Sequence, residues 1–301
     1  MPRAMSSDPR IGVIGTINRD TIRRADGSTV TSWGGLLYSL KYLSEQGRAT
    51  IVPVVNAGCD SHDRIIDILG RFPRINRSLV RSVEAVNNHC FLHSADQAHK
   101  CELLAGGVPP LTWQRVKPLL TADLILVNFI SGRDIGLAAL EKLRRSFAGP
   151  IYMDIHSLTL GRKKAKGGFH RFLRRPRYWQ RYAACADILQ MNRVEFELLS
   201  GDPLSDNSAV ALLRRHLPRV RCLLVTLGRE GVLVASRTDG RWRVLRIPVR
   251  EVKHPHDTTG CGDIFAAGFI LEYLRTHDVV ASARRGNILA ASRCRLPGAV
   301  F

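Results

Sequence analysis

The sequence predicts an α/β fold, a central and mostly parallel sheet flanked by helices. Along the 301 residues, short β-branched apolar runs alternate with helix-compatible segments, the pattern of parallel strands returned by helical crossovers. No internal repeat or low-complexity linker interrupts that alternation, so residues 1–301 read as one domain. A hydrophobic fraction of 45%, with modest Gly and Pro counts, supplies a core for a chain of this length.

Taken in order, Ile11–Gly15 reads as the first strand. It runs into Gly15-Thr16-Ile17-Asn18-Arg19-Asp20, which presents a carboxylate at the strand's C-terminal edge, where ligands bind in open α/β sheets. A plain turn after a strand explains that string equally well. Asp20–Trp33 is polar with a turn at Asp26-Gly27, and suits strands with one solvated face. Gly34-Gly35 then opens a helix, Leu36–Gln46, followed by a strand at Thr50–Val55 and a helix at Arg64–Phe72. Ser82–Leu104 alternates polar and apolar residues about a polar centre near Asp96, again as half-solvated strands do. Thr112–Leu120 reads as helix, Leu124–Asn128 as strand, Ile135–Phe147 as helix and Ile151–Asp154 as strand.

The next stretch is basic, from Arg162-Lys163-Lys164-Ala165-Lys166 through Arg174, Arg175, Arg177 and Arg181. With a formal net charge of +19, such a stretch raises the question of a polyanion partner. Phe169, Phe172, Tyr178 and Trp179 among the arginines suit base stacking, but the same spacing anchors an amphipathic helix to a core. A solvated basic helix or loop is the commoner explanation, so nucleic acid is not the expected partner.

Ile188–Met191 reads as strand and Val194–Ser200 as helix. Between them, Asn192-Arg193-Val194-Glu195 forms a capping box in sequence, Asn at the N-cap and Glu at the third position. A helix at Ser208–Arg214 precedes a strand at Leu223–Thr226, and Val232–Ser236 with Arg243–Ile247 reads as a hairpin around Asp239-Gly240. Two helices, Ile264–Thr276 and Val279–Ser292, complete the pattern.

The chemistry concentrates at Asp257-Thr258-Thr259-Gly260-Cys261-Gly262-Asp263, where a glycine-punctuated loop enters a helix. Glycines let a charged group approach the backbone closely, and amides at a helix N-terminus favour negative charge. Asp263 would repel that anion, unless its task is to take a proton from a hydroxyl attacking a phosphoryl group held by the amides of Gly260, Cys261 and Gly262. A helix cap is the competing explanation, since Asp is a preferred N-cap.

This string resembles the C-terminal signature of the ribokinase-like, or PfkB, carbohydrate kinases, with Cys261 where Ala is usual. The resemblance extends over nearly the whole chain. It implies a three-layer ribokinase-like fold and an ATP-dependent phosphotransferase with an alcohol acceptor, most simply a sugar. Asp263 is then the base. Gly15-x-x-x-x-Asp20 resembles the family's opening motif, and Gly34-Gly35 its Gly-Gly signature, which implies a substrate site of Asn18, Asp20, Gly34, Gly35 and Ser39, with Ser39 where Asn is common. Strands at about 20–33 and 82–104 would form a lid over that site and exclude water from the transfer. Asn192 and Glu195 match an Asn-x-x-Glu that organises Mg2+, largely through water, which suits a hard cation. Thr226, Gly228, Gly231 and Asn287 match nucleotide-binding positions. Asp257 matches a position that in some members helps hold a monovalent cation, which admits K+ as an activator.

Rival readings are a nucleoside kinase of the same fold and a non-catalytic sugar- or nucleotide-binding regulator. Exposed edges of lid strands could pair between subunits, which admits a homodimer. Cys59-x-x-His62, Cys90-x-x-His93 and His99-x-Cys101 have zinc-like spacing, but alternation along strands would scatter the donors. Asp154 and His156 share a strand end, yet no Gly-x-Ser-x-Gly elbow accompanies them, which sets hydrolase chemistry aside. Seven cysteines without a framework read as reduced thiols. No apolar run reaches membrane-spanning length and Met1–Arg10 lacks a signal-peptide core, so the expected location is cytoplasmic.

Overall fold

The structure, a computed structural model, describes residues 8–23, 27–94, 100–249, 252 and 258–294. In chain order its elements are β1 (Arg10–Ile14), β2 (Ile17–Arg23), β3 (Thr29–Gly35), α1 (Leu37–Gln46), β4 (Thr50–Gly58), α2 (His62–Gly70), β5 (Val80–Val83), β6 (His89–Ser94) and β7 (Lys100–Ala105). There follow α3 (Trp113–Val116), β8 (Leu124–Asn128), α4 (Leu137–Ser146), β9 (Ile151–Asp154), β10 (Leu160–Ala165), β11 (Gly168–Leu173), α5 (Trp179–Ala183), β12 (Ile188–Asn192) and α6 (Arg193–Ser200). The last are α7 (Asp206–His216), β13 (Cys222–Thr226), β14 (Val232–Thr238), β15 (Arg241–Ile247), α8 (Cys261–Thr276) and α9 (Val279–Arg293).

The main sheet runs β15-β14-β13-β12-β9-β8-β1-β4-β5, and is parallel from β13 through β5. Only β14 and β15 run against their neighbours, as expected of the hairpin. Each face is covered. Ile125, Val127, Met153, Leu189 and Leu223 pack against Leu140, Trp179, Phe196 and Leu213 of α4 to α7. On the other face Ile11, Leu126, Tyr152 and Leu224 meet Leu37, Leu40, Ile65, Phe265, Phe269 and Ala283 of α1, α2, α8 and α9. Three layers therefore form. Enclosing each large apolar side chain contributes about 1.5–3 kcal/mol.

A second sheet, β10-β11-β7-β6-β2-β3, stands at the C-terminal edge of the first, because β2 leaves directly from the end of β1. Three differences from the sequence expectation emerge. The basic stretch is no helix or loop where it begins: 160–173 fold into the β10–β11 hairpin, which extends this second sheet through β7. Arg162 and Arg171 face each other across that hairpin, a pairing that no helical period reveals. Trp179, by contrast, is the core anchor that the amphipathic alternative describes. Val80–Val83 pairs with β4 in the main sheet, so the second stretch of half-solvated strand outside that sheet starts at His89 rather than Ser82. The expected helix 112–120 divides into α3 and a 3-10 turn over Lys117–Thr121, because Pro118 lacks an amide hydrogen.

Candidate active site

The parallel strands deliver polar side chains to one edge. Asn128 ends β8 opposite Asp154 of β9, Asp154 lies opposite Gln190 of β12, and Asn192 ends β12 opposite Thr226 of β13. Helix α8 arrives at this edge with its N-terminus.

Gly260 is the N-cap of α8 at φ +77°, with no side-chain cap bond. A β-carbon there would come within 2.6 Å of the Tyr38 ring, so both the left-handed turn and the close approach call for glycine. Asp263 is thus the third residue of the helix and not its cap, which decides against the capping explanation. It is 7% exposed, and its Oδ1 accepts a hydrogen bond from Asn128 Nδ2 at 2.5 Å. Burial pushes its carboxyl up to about 7, against the lowering pull of the Asn128 bond. The Cys261 amide differs from expectation. It donates to the Thr258 carbonyl at 3.2 Å, within the turn, while the Gly260 carbonyl accepts from Ile264 at 2.9 Å. The amides of Gly260, Gly262 and Asp263 belong to the first turn, where intrahelical acceptors run out.

Gln190 fixes this loop to the sheet. Its Nε2 donates to Asp154 Oδ2 at 2.6 Å and to the Gly262 carbonyl at 3.2 Å, while its Oε1 accepts from the Tyr152 hydroxyl. Asp154 is itself pushed well above the usual carboxylate range by burial and by the neighbouring Glu195 and Asp263.

On the second sheet, Asp20 sits on β2 opposite Ser32 of β3. Its carboxyl is pushed to about 7 by burial, then by Glu102 and Asp263. A β-carbon on Gly34 would fall 1.9 Å from Asp20 Oδ2, so Gly34 is what admits that carboxylate. Asn18 lies two residues earlier on the same face and opposite Gly34. Asn18 Oδ1, Ser32 Oγ and Asn128 Oδ1 are buried without a hydrogen-bond partner among the described residues. Such atoms cost about 1–3 kcal/mol each unless something bonds them, and they suit a hydroxyl-rich ligand. Ser39 is fully buried behind the site, where its hydroxyl donates to the Asp263 carbonyl at 3.4 Å. It supports Asp263 from below.

Asn192 and Glu195 realise the capping box: Asn192 Oδ1 accepts from the Glu195 amide at 2.9 Å, and Glu195 Oε2 from the Asn192 amide at 2.8 Å. Glu195 is buried, which raises its carboxyl, and it faces Asp154. Among the described residues no three His, Cys, Asp or Glu side chains converge as a metal cage. The sparse donors at Asn192, Glu195 and Asp154 fit Mg2+ carried largely by water and phosphate oxygens.

Farther along the edge, the end of β15 and α9 enclose a cavity of about 740 Å³ lined by Ile247, Pro248, Asn287, Ile288, Ala291 and Ser292. Asn287 Nδ2 donates to the Ile247 carbonyl at 3.0 Å, tying α9 to the end of β15. Gly231 lies against Ile247 and Pro248 of this region, Thr226 pairs with Val232, which is itself opposite Ile247, and Gly228 lies in the turn between Thr226 and Val232. Asp257 lies outside the described residues.

Asn128 and Gln190 carry no functional mark in the sequence, and Asp154 stands out there only as a neighbour of His156. Their placement at parallel strand ends was the available signal.

Residues 162–301 match the pfkB family carbohydrate kinase family. A deoxyribokinase of Salmonella typhi is 29% identical over 112 residues, covering 36% of this chain and 35% of that protein. An uncharacterized sugar kinase of Archaeoglobus fulgidus is 34% identical over 104 residues, covering 35% and 38%. The matches thus span little more than a third of these relatives. The fold is that of the Arabidopsis thaliana ribokinase complexed with ribose and ATP, at TM-score 0.75 and 18% identity, covering 97% of this chain and 95% of that one. The chain thus shares the fold of a ribokinase, and its C-terminal residues 162–301 are similar to the pfkB carbohydrate kinases.

Proposed function

We propose that the protein is a single-domain, ATP-dependent kinase that transfers the γ-phosphoryl group to a hydroxyl of a sugar or sugar-like small molecule. The observation that carries this reading is Asp263, held by Asn128 at the third position of α8 beside the Gly260–Gly262 turn. With a pKa of about 7, Asp263 can take the proton of an attacking hydroxyl near neutral pH. Amides of the first turn of α8 oppose the charge on the migrating group. Asp20, with Asn18 and Ser32 on the same sheet, orients the acceptor's other hydroxyls. The second sheet serves as the lid that keeps water from competing. Thr226, Gly228, Gly231 and Asn287 border the nucleotide. Mg2+, held through water near Asn192 and Glu195, supplies neutralisation of the phosphate charge.

The same reading assigns a cytoplasmic site of action and, through Asp257, a monovalent cation. No described helix is long and apolar enough to cross a membrane. A homodimer would pair through the β3 edge, since the β10 edge carries Arg162, Lys163 and Lys164, and charges of that kind block strand addition.

The test is ADP release with ATP and Mg2+ in the presence of ribose, 2-deoxyribose, fructose, 2-dehydro-3-deoxygluconate and inosine in turn. Stimulation by a sugar is the expected result. Stimulation by inosine alone would make it a nucleoside kinase, and no stimulation by any acceptor would overturn the reading.

A further inference from the structure

Two thiols meet at the anion loop. Cys261, the first residue of α8, and Cys294, the C-cap of α9, have their sulfurs 2.9 Å apart. Both side chains point at the same turn: Cys261 Sγ lies 3.6 Å from the Ala290 carbonyl, which also accepts the Cys294 amide at 3.3 Å. Helix packing holds them there. A β-carbon on Gly286 would lie 2.8 Å from the Phe265 ring, and one on Gly268 would lie 3.0 Å from the Arg285 carbonyl, so α8 and α9 cross backbone against backbone. Both thiols are half-buried and within reach of a small oxidant, whereas Cys90, Cys185 and Cys222 are buried.

We propose that Cys261 and Cys294 are an oxidation site that closes into a reversible disulfide and switches the loop off. The oxidant is a hydroperoxide. One sulfur attacks the terminal peroxide oxygen, the O–O bond breaks, and the departing oxygen leaves as alcohol, or as water when the oxidant is hydrogen peroxide. The sulfenic acid so formed is attacked by the second sulfur, the S–O bond breaks, and water leaves. In sum, two thiols and one peroxide give a disulfide, one alcohol and one water, with two electrons passing from sulfur to oxygen. A disulfide bond measures about 2.05 Å, so each sulfur has only a fraction of an ångström to travel. Transient disulfides of this kind in the cytosol are redox-sensing rather than structural.

Closure draws the first turn of α8 toward the end of α9. The residue that moves lies between Gly260 and Gly262 and two positions before Asp263. A displacement of about 1 Å at a reacting site costs roughly 10²-fold in rate, so a shift of about half that is expected to cost about tenfold. The bond itself stands independently of the kinase reading, and its effect on phosphoryl transfer rests on that reading.

The experiment treats the reduced full-length protein with stoichiometric hydrogen peroxide, then with dithiothreitol. Peptide mass spectrometry reads the bond, ADP release reads transfer, and a fluorescent ATP analogue reads nucleotide affinity. The expected result is a Cys261–Cys294 linked peptide, a loss of at least tenfold in turnover, and recovery on reduction. Cys294→Ser should keep its turnover within twofold when reduced and hold it under peroxide. Absence of the linked peptide overturns the proposal, as does a linked protein with unchanged turnover, or equal peroxide loss in Cys294→Ser. If the reduced protein phosphorylates no acceptor, the kinase reading fails by itself. The linked peptide, together with an unchanged or a tenfold weakened nucleotide affinity, then decides against or for the switch.

Discussion

Asn128 donates a 2.5 Å hydrogen bond to Asp263, joining the end of β8 to the first turn of α8 across 135 positions of sequence. Among the side-chain contacts of that carboxyl, it is the one that pulls its pKa down. Asn128→Ala should therefore move the acidic limb of kcat/KM to higher pH. A hydrogen bond to a charged group contributes about 1.5–3 kcal/mol, so the limb should move by about one unit or more. An unmoved limb in a pH–rate profile would detach Asn128 from the proton transfer.

Asp263→Asn should lower turnover by about 10²–10⁴-fold and leave the fold intact. It should also change how the ligand-free protein responds to pH. The folded carboxyl titrates near 7, above its ordinary 3.8, so the fold favours the protonated form. That contribution is full below about pH 4 and is lost as pH rises through about 7. Wild-type melting temperature should accordingly fall over this interval. Asp263→Asn should melt with a shallower slope, and Asp20, also near 7, keeps the slope from vanishing. Calorimetry between pH 4 and 8 checks both.

Gly34→Ala should weaken the sugar and spare the nucleotide. The new methyl would sit 1.9 Å from Asp20 Oδ2, and the carboxylate, as the end of a side chain, must be what gives way. A KM for the acceptor raised about tenfold or more, with unchanged KM for ATP and a melting temperature near wild type, is the expected pattern.

Arg171→Met should loosen the second sheet. The Arg171 side chain is 1% exposed and donates to the Ser131 carbonyl at 3.0 Å and the Ser157 carbonyl at 3.2 Å, tying β11 to the loops after β8 and β9. Losing those bonds leaves carbonyls buried and costs about 1–3 kcal/mol. Faster hydrogen exchange in β10 and β11, with a raised acceptor KM, would register it.

Much of this was legible in residues close together in sequence. Leu124–Asn128 and Ile188–Met191 announce strands by their own composition, and Gly260 to Asp263 announce an anion loop within a few positions. What stayed hidden depends on register between distant segments. Asn128 meets Asp154 only because β8 and β9 align in parallel, and Arg162 meets Arg171 only once a hairpin forms at Lys166-Gly167. Ser39 lies on the side of α1 that Asp263 covers, which helix position alone does not tell. Pro118 was visible, and its cost to the expected helix could have been read in advance.

Leu160 and Leu173 are ladder partners, so the chain leaves the body and re-enters it at neighbouring points. The β10–β11 hairpin is thus a single excursion of the chain, moored to the body through β7 and Arg171. It can be clipped out and the stumps joined by a short turn, or exchanged for another hairpin, without rerouting any strand of the main sheet. For anyone wishing to graft a different hairpin onto this scaffold, that seam is the place to cut.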